Sequence, residues 1–316
     1  MITILLVKNN MSKTFKKILI TGSSGTIGTR LFENLLEDGH EVVGFDKNPN
    51  KWHVHLDKLT VKGNLLNKKD IKKLPSDFDL VVHLAANARV YNLVIGPDLA
   101  LENIITTYNI LEFCRQNKIK SVIFASSRET YGNTKEPALK EQNVDIQLCE
   151  SPYAASKISD EALVYSYSKC YGINYIVFRF SNVYGMYDLS DRFVPLMIKK
   201  MKRNESVDIY GGSKFLDFTY IDDCVSGLIK GIKIFPKAKN STINVASGRG
   251  EKLTKVAQII KEHLRSRSVI NIKPNRSGEV MHYVADISRA EKLLDYKPKY
   301  SIKEGISSAV AWYIKN

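Results

Sequence analysis

The sequence predicts an α/β fold, a doubly wound parallel sheet with helices on both faces and a smaller C-terminal lobe. Three observations predict it. From Lys17 onward, short β-branched runs alternate with helical patterns, the rhythm of β-α-β units. The first strand runs directly into a glycine-rich turn that opens a helix. A composition of 316 residues with 44% hydrophobic and 25% charged residues is that of a soluble globular chain, neither disordered nor collagenous.

Lys17 to Thr21 forms the first strand, and a helix follows from about Thr26 to Asp38, with Ile27, Leu31, Leu35 and Leu36 on its apolar face and Gly39 at its end. Strands are expected at Glu41 to Asp46, Leu59 to Lys62, Asp79 to Leu84 and Ser121 to Ser126, with a long helix at Asp98 to Asn117 before the last of these. A helix at Tyr153 to Tyr171 leads to the sixth strand, Tyr175 to Arg179, and right-handed crossovers place these helices on both faces. Beyond Gly185 the rhythm loosens, with helices near Phe193 to Arg203, Asp222 to Ile234, Lys252 to Arg265 and Lys303 to Ile314, and a strand at Val207 to Tyr210. The expected division is an N-terminal tail over residues 1–16, a dinucleotide-binding domain over 17–185 and, mainly from 186–316, a lobe closing over the carboxyl edge of the sheet as a lid. Residues 1–10 read as a tail before a second possible start at Met11, or as an extra edge strand.

Lys and Arg number 47 against 33 Asp and Glu, a formal charge of +14 that favours anionic partners. The basic residues are spread along exposed helix faces without interleaved aromatics, so no nucleic-acid partner is expected. Cys114, Cys149, Cys170 and Cys224 form no CxxC pair, which points to neither a metal site nor a disulfide framework and fits a reducing cytoplasm. No stretch approaches the ~18 apolar residues of a membrane span.

In Thr21-Gly22-Ser23-Ser24-Gly25-Thr26-Ile27-Gly28, Gly22 permits the tight turn, Gly25 lets backbone N–H groups approach a pyrophosphate at the helix N-terminus, and Gly28 allows close helix–strand packing. Asp46 ends the second strand, where a carboxylate accepts hydrogen bonds from the adenosine ribose and repels a 2′-phosphate; the cofactor implied is NAD rather than NADP. Tyr153 and Lys157 stand one helical turn apart on the same face, while Ser126 and Ser127 emerge at the carboxyl end of the fifth strand, where ligands of such sheets bind.

The combination of the glycine turn, Asp46, His83-Leu84-Ala85-Ala86, Ser127 before Tyr131-Gly132, and the Tyr153/Lys157 pair resembles the extended short-chain dehydrogenase/reductase family, best its nucleotide-sugar epimerase and dehydratase branch. The likeness continues through Arg179 to Gly185, Asp217 to Asp223 and Arg276 to Glu279, and so covers Lys17 to the C-terminus. It implies a Rossmann fold, and Tyr153, Lys157 and Ser127 as the catalytic group. Hydride leaves a sugar C4 only if the hydroxyl proton leaves too, so a base must sit on that oxygen. A phenol, with an ordinary pKa near ~10, serves at neutral pH only beside a cation, here Lys157 and the cationic nicotinamide. Cofactor contacts are implied at Thr26, Ile27, Leu65, Leu84, Ala85, Ala86, Asn103, Phe180 and Val183, with Lys157 also on the nicotinamide ribose. Substrate contacts are implied at Ser127, Asn182, Tyr210 and Arg276, and a homodimer through the two long helices.

Departures from the family pattern bear on function. Asn64 stands where an Asp contacts adenine, and its amide still offers hydrogen bonds to the base. Leu216 replaces an Arg that grips the pyrophosphate, with Lys214 the nearest substitute. Ser127-Arg128-Glu129 replaces small residues: Glu129 matches the base of the 4,6-dehydratases and related decarboxylases, but Arg128 does not match the dehydratases' acid, and the two also read as a structural ion pair. Arg192 lies in the region where UDP-glucuronate 4-epimerases grip the sugar carboxylate, and equally reads as a helix-start salt bridge. The function expected is NAD-dependent 4-epimerisation of a UDP-glucose or UDP-glucuronate type substrate through a transient 4-keto sugar. The alternatives are a dehydratase or decarboxylase using Glu129, and a non-catalytic NAD-binding protein.

Overall fold

The structure, a computed structural model, describes residues 14–316. The expected tail over residues 1–16 therefore lies largely outside the described residues. Its last part is packed: Phe15 is buried and meets Phe235 edge-on at 5.3 Å.

In chain order the strands are β1 (Lys17–Thr21), β2 (Glu41–Asp46), β3 (Thr60–Lys62), β4 (Leu80–His83), β5 (Ser121–Ser127), β6 (Asn174–Phe180), β7 (Asn182–Tyr184), β8 (Val207–Tyr210), β9 (Phe215–Tyr220), β10 (Ser241–Val245), β11 (Gly250–Lys252), β12 (Ile270–Lys273) and β13 (His282–Tyr283). The helices are α1 (Thr26–Glu37), α2 (Val54–Lys58), α3 (Lys68–Ile71), α4 (Val90–Ile95), α5 (Asp98–Gln116), α6 (Pro152–Tyr171), α7 (Phe193–Met201), α8 (Ile221–Lys233), α9 (Phe235–Ala238), α10 (Leu253–His263), α11 (Ser288–Leu294) and α12 (Ile302–Lys315).

Seven parallel strands form the main sheet in the order β10-β6-β5-β4-β1-β2-β3. Six of them are the strands read from the sequence. The seventh, β10, comes from the looser C-terminal half and extends the sheet at its β6 edge. The central strands are buried on both faces, as a parallel sheet covered by helices requires. Ile18, Ile20, Leu80, Val82 and Ile123 belong to one apolar cluster and Leu19, Val81, Val122 and Phe124 to the other, so consecutive residues serve opposite faces. Helices α1 and α8 pack together on one side, and α5 and α6 on the other.

Helix α6 begins where Ser151 accepts a hydrogen bond from Ala154 N at 3.1 Å and Pro152 occupies the first turn, and it ends at Gly172 in the left-handed conformation, φ +66°. The C-terminal half adds two small sheets, one built around β9, which pairs with β7, β11 and β13, and one of β8 with β12. The carboxylates of Asp217 to Asp223 tie this half down. Asp217 accepts from Ser247 N and Gly248 N at 2.9 Å each, Asp222 pairs with Arg30 of α1 at 2.7 Å, and Asp223 accepts from Lys299 N at 2.8 Å. A motif that carries part of the family likeness is thus a set of clamps. Among the described residues no helix is long and apolar enough to cross a membrane.

Candidate active site

A cleft of about 670 Å³, within the size range of ligand sites, opens between the carboxyl ends of β1, β4, β5 and β6 and the C-terminal half. Its floor begins at the glycine turn. Gly22 has φ +72°, and a Cβ there would stand 2.7 Å from Ala85 N. A Cβ on Gly28 would stand 2.1 Å from the Gly22 carbonyl oxygen, so the close helix–strand approach read from the sequence is present. Gly25 N-caps α1 and no side chain caps that first turn, which leaves the positive end of the helix facing the cleft. Asp46 accepts from Ser24 N at 3.0 Å and Asn48 N at 2.8 Å, which fixes its carboxylate beside the turn. These features fit a dinucleotide.

Tyr153, Lys157 and Ser127 line this cleft together, brought from one face of α6 and the end of β5. Lys157 is buried and donates to Ala125 O at 3.0 Å, with its ammonium 4.7 Å from the centre of the Phe124 ring. The structure distinguishes the two serines. Ser126 donates its hydroxyl to Glu161 at 2.6 Å, whereas Ser127 accepts from Glu129 N at 3.2 Å and so keeps its own proton for another partner. Behind them His83 sits between Thr21 Oγ1 at 2.6 Å and Thr107 Oγ1 at 3.3 Å. Burial, aided by Lys157, holds its imidazole down to about 3, so it is neutral at physiological pH.

Gly22, Gly25, Thr26, Ile27, Gly28, Leu84, Ala86, Phe180 and Val183 also line the cleft. Ala85 packs its backbone against Gly22 instead. Asn103 lies behind the wall, where its amide accepts from Asn87 N at 2.7 Å and donates to Asn87 O at 3.1 Å, fixing the segment that enters α4. Asn64 is exposed and closes a turn on Leu66 N at 3.0 Å, next to buried Leu65.

On the substrate side Asn182, Arg192, Tyr210 and Arg276 all reach the cleft. Both ends of the Asn182 amide are engaged, one by Arg128 Nε at 3.1 Å and the other on Asp217 O at 2.8 Å. Arg276 stacks 3.7 Å over Tyr210 and 4.6 Å from Tyr91. Lys214, the expected substitute at Leu216, is paired with Glu279. Arg128 and Glu129 form a buried ion pair of 2.7 Å on the short 3-10 turn after Ser127. Burial pushes the Glu129 carboxyl up, and Arg128 opposes that rise. Sequence reading missed the wall formed by Asn87 to Leu93, because α4 is a helix of only six residues, too short to show a periodic pattern.

A curated relative, the uncharacterized UDP-glucose epimerase YtcB of Bacillus subtilis, is 32% identical over 94% of this chain and 97% of its own length. Among solved structures, the UDP-glucose 4-epimerase of Thermotoga maritima, crystallised with UDP-glucose, is 29% identical with a TM-score of 0.86 over 95% of this chain and 99% of its own. The UDP-glucuronic acid 4-epimerase of Bacillus cereus, in complex with UDP-glucuronic acid and NAD, is 28% identical with a TM-score of 0.88 over the same shares, 95% and 99%. The family model described as NAD dependent epimerase/dehydratase matches residues 18–246, a span that holds the glycine turn, the serine pair and the Tyr153/Lys157 helix, and the chain belongs to this family.

Proposed function

We propose that the protein is an NAD-dependent 4-epimerase of a UDP-sugar. The observation that carries the reading is the convergence of Tyr153, Lys157 and Ser127 on one cleft whose floor is the glycine turn and the uncapped end of α1. NAD, held by the glycine turn and Asp46, would supply the group that accepts a hydride from sugar C4 and gives it back to the other face of the 4-keto sugar, with no net redox change. Tyr153 holds the proton of the C4 hydroxyl while the sugar is oxidised and gives it back. Lys157 supplies the cation that favours the phenolate, and Ala125 O fixes its direction. Ser127 hydrogen-bonds the same hydroxyl with its own proton, whereas Ser126 has committed its proton to Glu161. The main-chain turn at Gly22, Gly25 and Gly28, with Asp46, holds the dinucleotide; Arg276 holds the diphosphate of the substrate.

Glu129 is engaged by Arg128, and the dehydratase or decarboxylase reading is not favoured. An intact Tyr153/Lys157 pair likewise disfavours a non-catalytic role. Residues 17–185 carry the cofactor side of this scheme and residues 186–316 mainly the sugar side, with residues 1–16 as an extension. A homodimer through α5 and α6 is supported by Leu101, Ile105 and Tyr108, which lie one turn apart along α5 and are 59%, 46% and 40% exposed. The four free cysteines are in keeping with a cytoplasmic setting.

Incubating the enzyme with NAD and UDP-sugars, with mass and sugar analysis of the products, tests the reaction: a C4 epimer of unchanged mass is expected. Tyr153→Phe should lower kcat at least ~100-fold, the low end of what a positioned acid–base group contributes. Wild-type turnover by that variant would refute the assignment.

A further inference from the structure

The cleft of this basic chain is close to electrically neutral. Six cations reach it: Arg89, Arg128, Lys157, Arg192, Lys214 and Arg276. Five meet carboxylates of the protein itself. Arg89 pairs with Asp191 at 2.8 Å, Arg128 with Glu129 at 2.7 Å, Lys214 with Glu279, Lys157 with Asp160 at 3.7 Å, and Arg192 with Asp188 at 4.0 Å. Among the described residues Arg276 alone of the six stacks on tyrosines without an ion pair, and it serves the diphosphate in the reading above.

The Arg128–Glu129 pair stands at the reacting end, on the turn that Ser127 begins. Both residues are more than nine-tenths buried, yet Arg128 Nη1 and Glu129 Oε2 have no hydrogen-bond partner in the protein. Those two atoms are closed off from the cleft, so what the pair presents to a ligand at the reacting end is a compensated charge and not a free cation. A sugar carboxylate there would meet Glu129 as well as Arg128 and gain no uncompensated cation, whereas a hydroxyl or an amide carries no such charge penalty.

Resting on the 4-epimerase reading, we propose that Arg128 and Glu129 act together as a specificity pair that selects a UDP-sugar with an uncharged ring substituent, a hexose or an N-acylated hexosamine, over a uronate. Arg192, balanced by Asp188, then orders the wall of the cleft and does not grip a sugar carboxylate.

The test measures binding and turnover separately. Full-length NAD-loaded Tyr153→Phe protein is titrated with UDP-glucose, UDP-N-acetylglucosamine and UDP-glucuronate. The better uncharged sugar should bind at least ~10-fold more tightly than the uronate, about 1.4 kcal/mol. Glu129→Gln, which frees the Arg128 charge, should move the ratio at least ~5-fold towards the uronate; Glu129→Ala, which frees the same charge, is the second variant should the first fail to fold, and should move it the same way. Equal or tighter binding of UDP-glucuronate, or a ratio unmoved in a folded variant, overturns the proposal. Turnover by wild-type enzyme separates the two readings. Preferred epimerisation of UDP-glucuronate overturns the specificity pair and leaves the 4-epimerase standing. Failure to epimerise any UDP-sugar refutes the 4-epimerase reading, while the binding ratios still judge the pair.

Discussion

Lys157 and Asp160 stand one turn apart on α6 with their charged groups at 3.7 Å, the lysine 4% exposed and the carboxylate fully buried. The cation that faces Tyr153's side of the cleft is therefore offset from behind. Burial pushes the Asp160 carboxyl up to about 6, although Lys157 and Thr107 pull the other way, and Glu161 adds to the rise. Neutral His83 reaches the same Thr107 from β4.

Asp160→Asn removes a negative charge from this group, and every titration beside it should move to lower pH. The pH–kcat/KM profile is expected to shift down by about one pH unit, a displacement a purely structural residue would not cause. Stability should respond with a definite sign. A carboxyl whose folded value lies above its ordinary ~3.9 contributes most at low pH and loses that contribution as pH rises through about 6. The asparagine variant should thus melt higher than wild type at pH 8, with the advantage gone by about pH 4. Melting curves at the two pH values check this, and an advantage that grows in acid would contradict it.

Arg179 of β6 grips Glu161 of α6 with two bonds, 2.8 Å and 2.7 Å, and reaches Glu141 O at 2.7 Å. Replacing one member of such a buried pair leaves the other charge uncompensated. Arg179→Met is expected to cost about 3–5 kcal/mol in urea unfolding. It should also loosen Glu161, which holds the Ser126 hydroxyl away from the cleft. A cost below about 1 kcal/mol, the range of exposed pairs, would show that the clamp is not needed.

Ile105→Glu places a charge at the centre of the exposed apolar stripe of α5. The wild-type protein should sediment as a dimer and the variant as a monomer with its melting curve little changed, because the side chain is 46% exposed in the single chain. A wild-type monomer at micromolar concentration would remove the interface.

The features legible in the sequence were those set by neighbours along the chain. A tight turn at Gly22, a helix opening at Thr26, and Tyr153 and Lys157 on one face follow from backbone sterics and helical period within a few residues. Strands buried on both faces announce themselves as β-branched runs, and six of the seven main-sheet strands were read this way. β10 escaped because a five-residue edge strand with polar Ser241, Thr242 and Asn244 carries little pattern.

Tertiary structure decided how the charges are spent. Nothing in the spacing of Lys214 and Glu279, 65 residues apart, says that they meet, and nothing in the helical or strand pattern says that Arg179 of β6 turns back onto Glu161 of the preceding α6. Nor does the chain itself say which of Ser126 and Ser127 keeps a free proton; the choice falls to Glu161 arriving from α6. The formal +14 is a property of the sequence, whereas the near-neutral cleft is a property of the fold, because a charge acts on a ligand only as far as the carboxylates packed beside it allow.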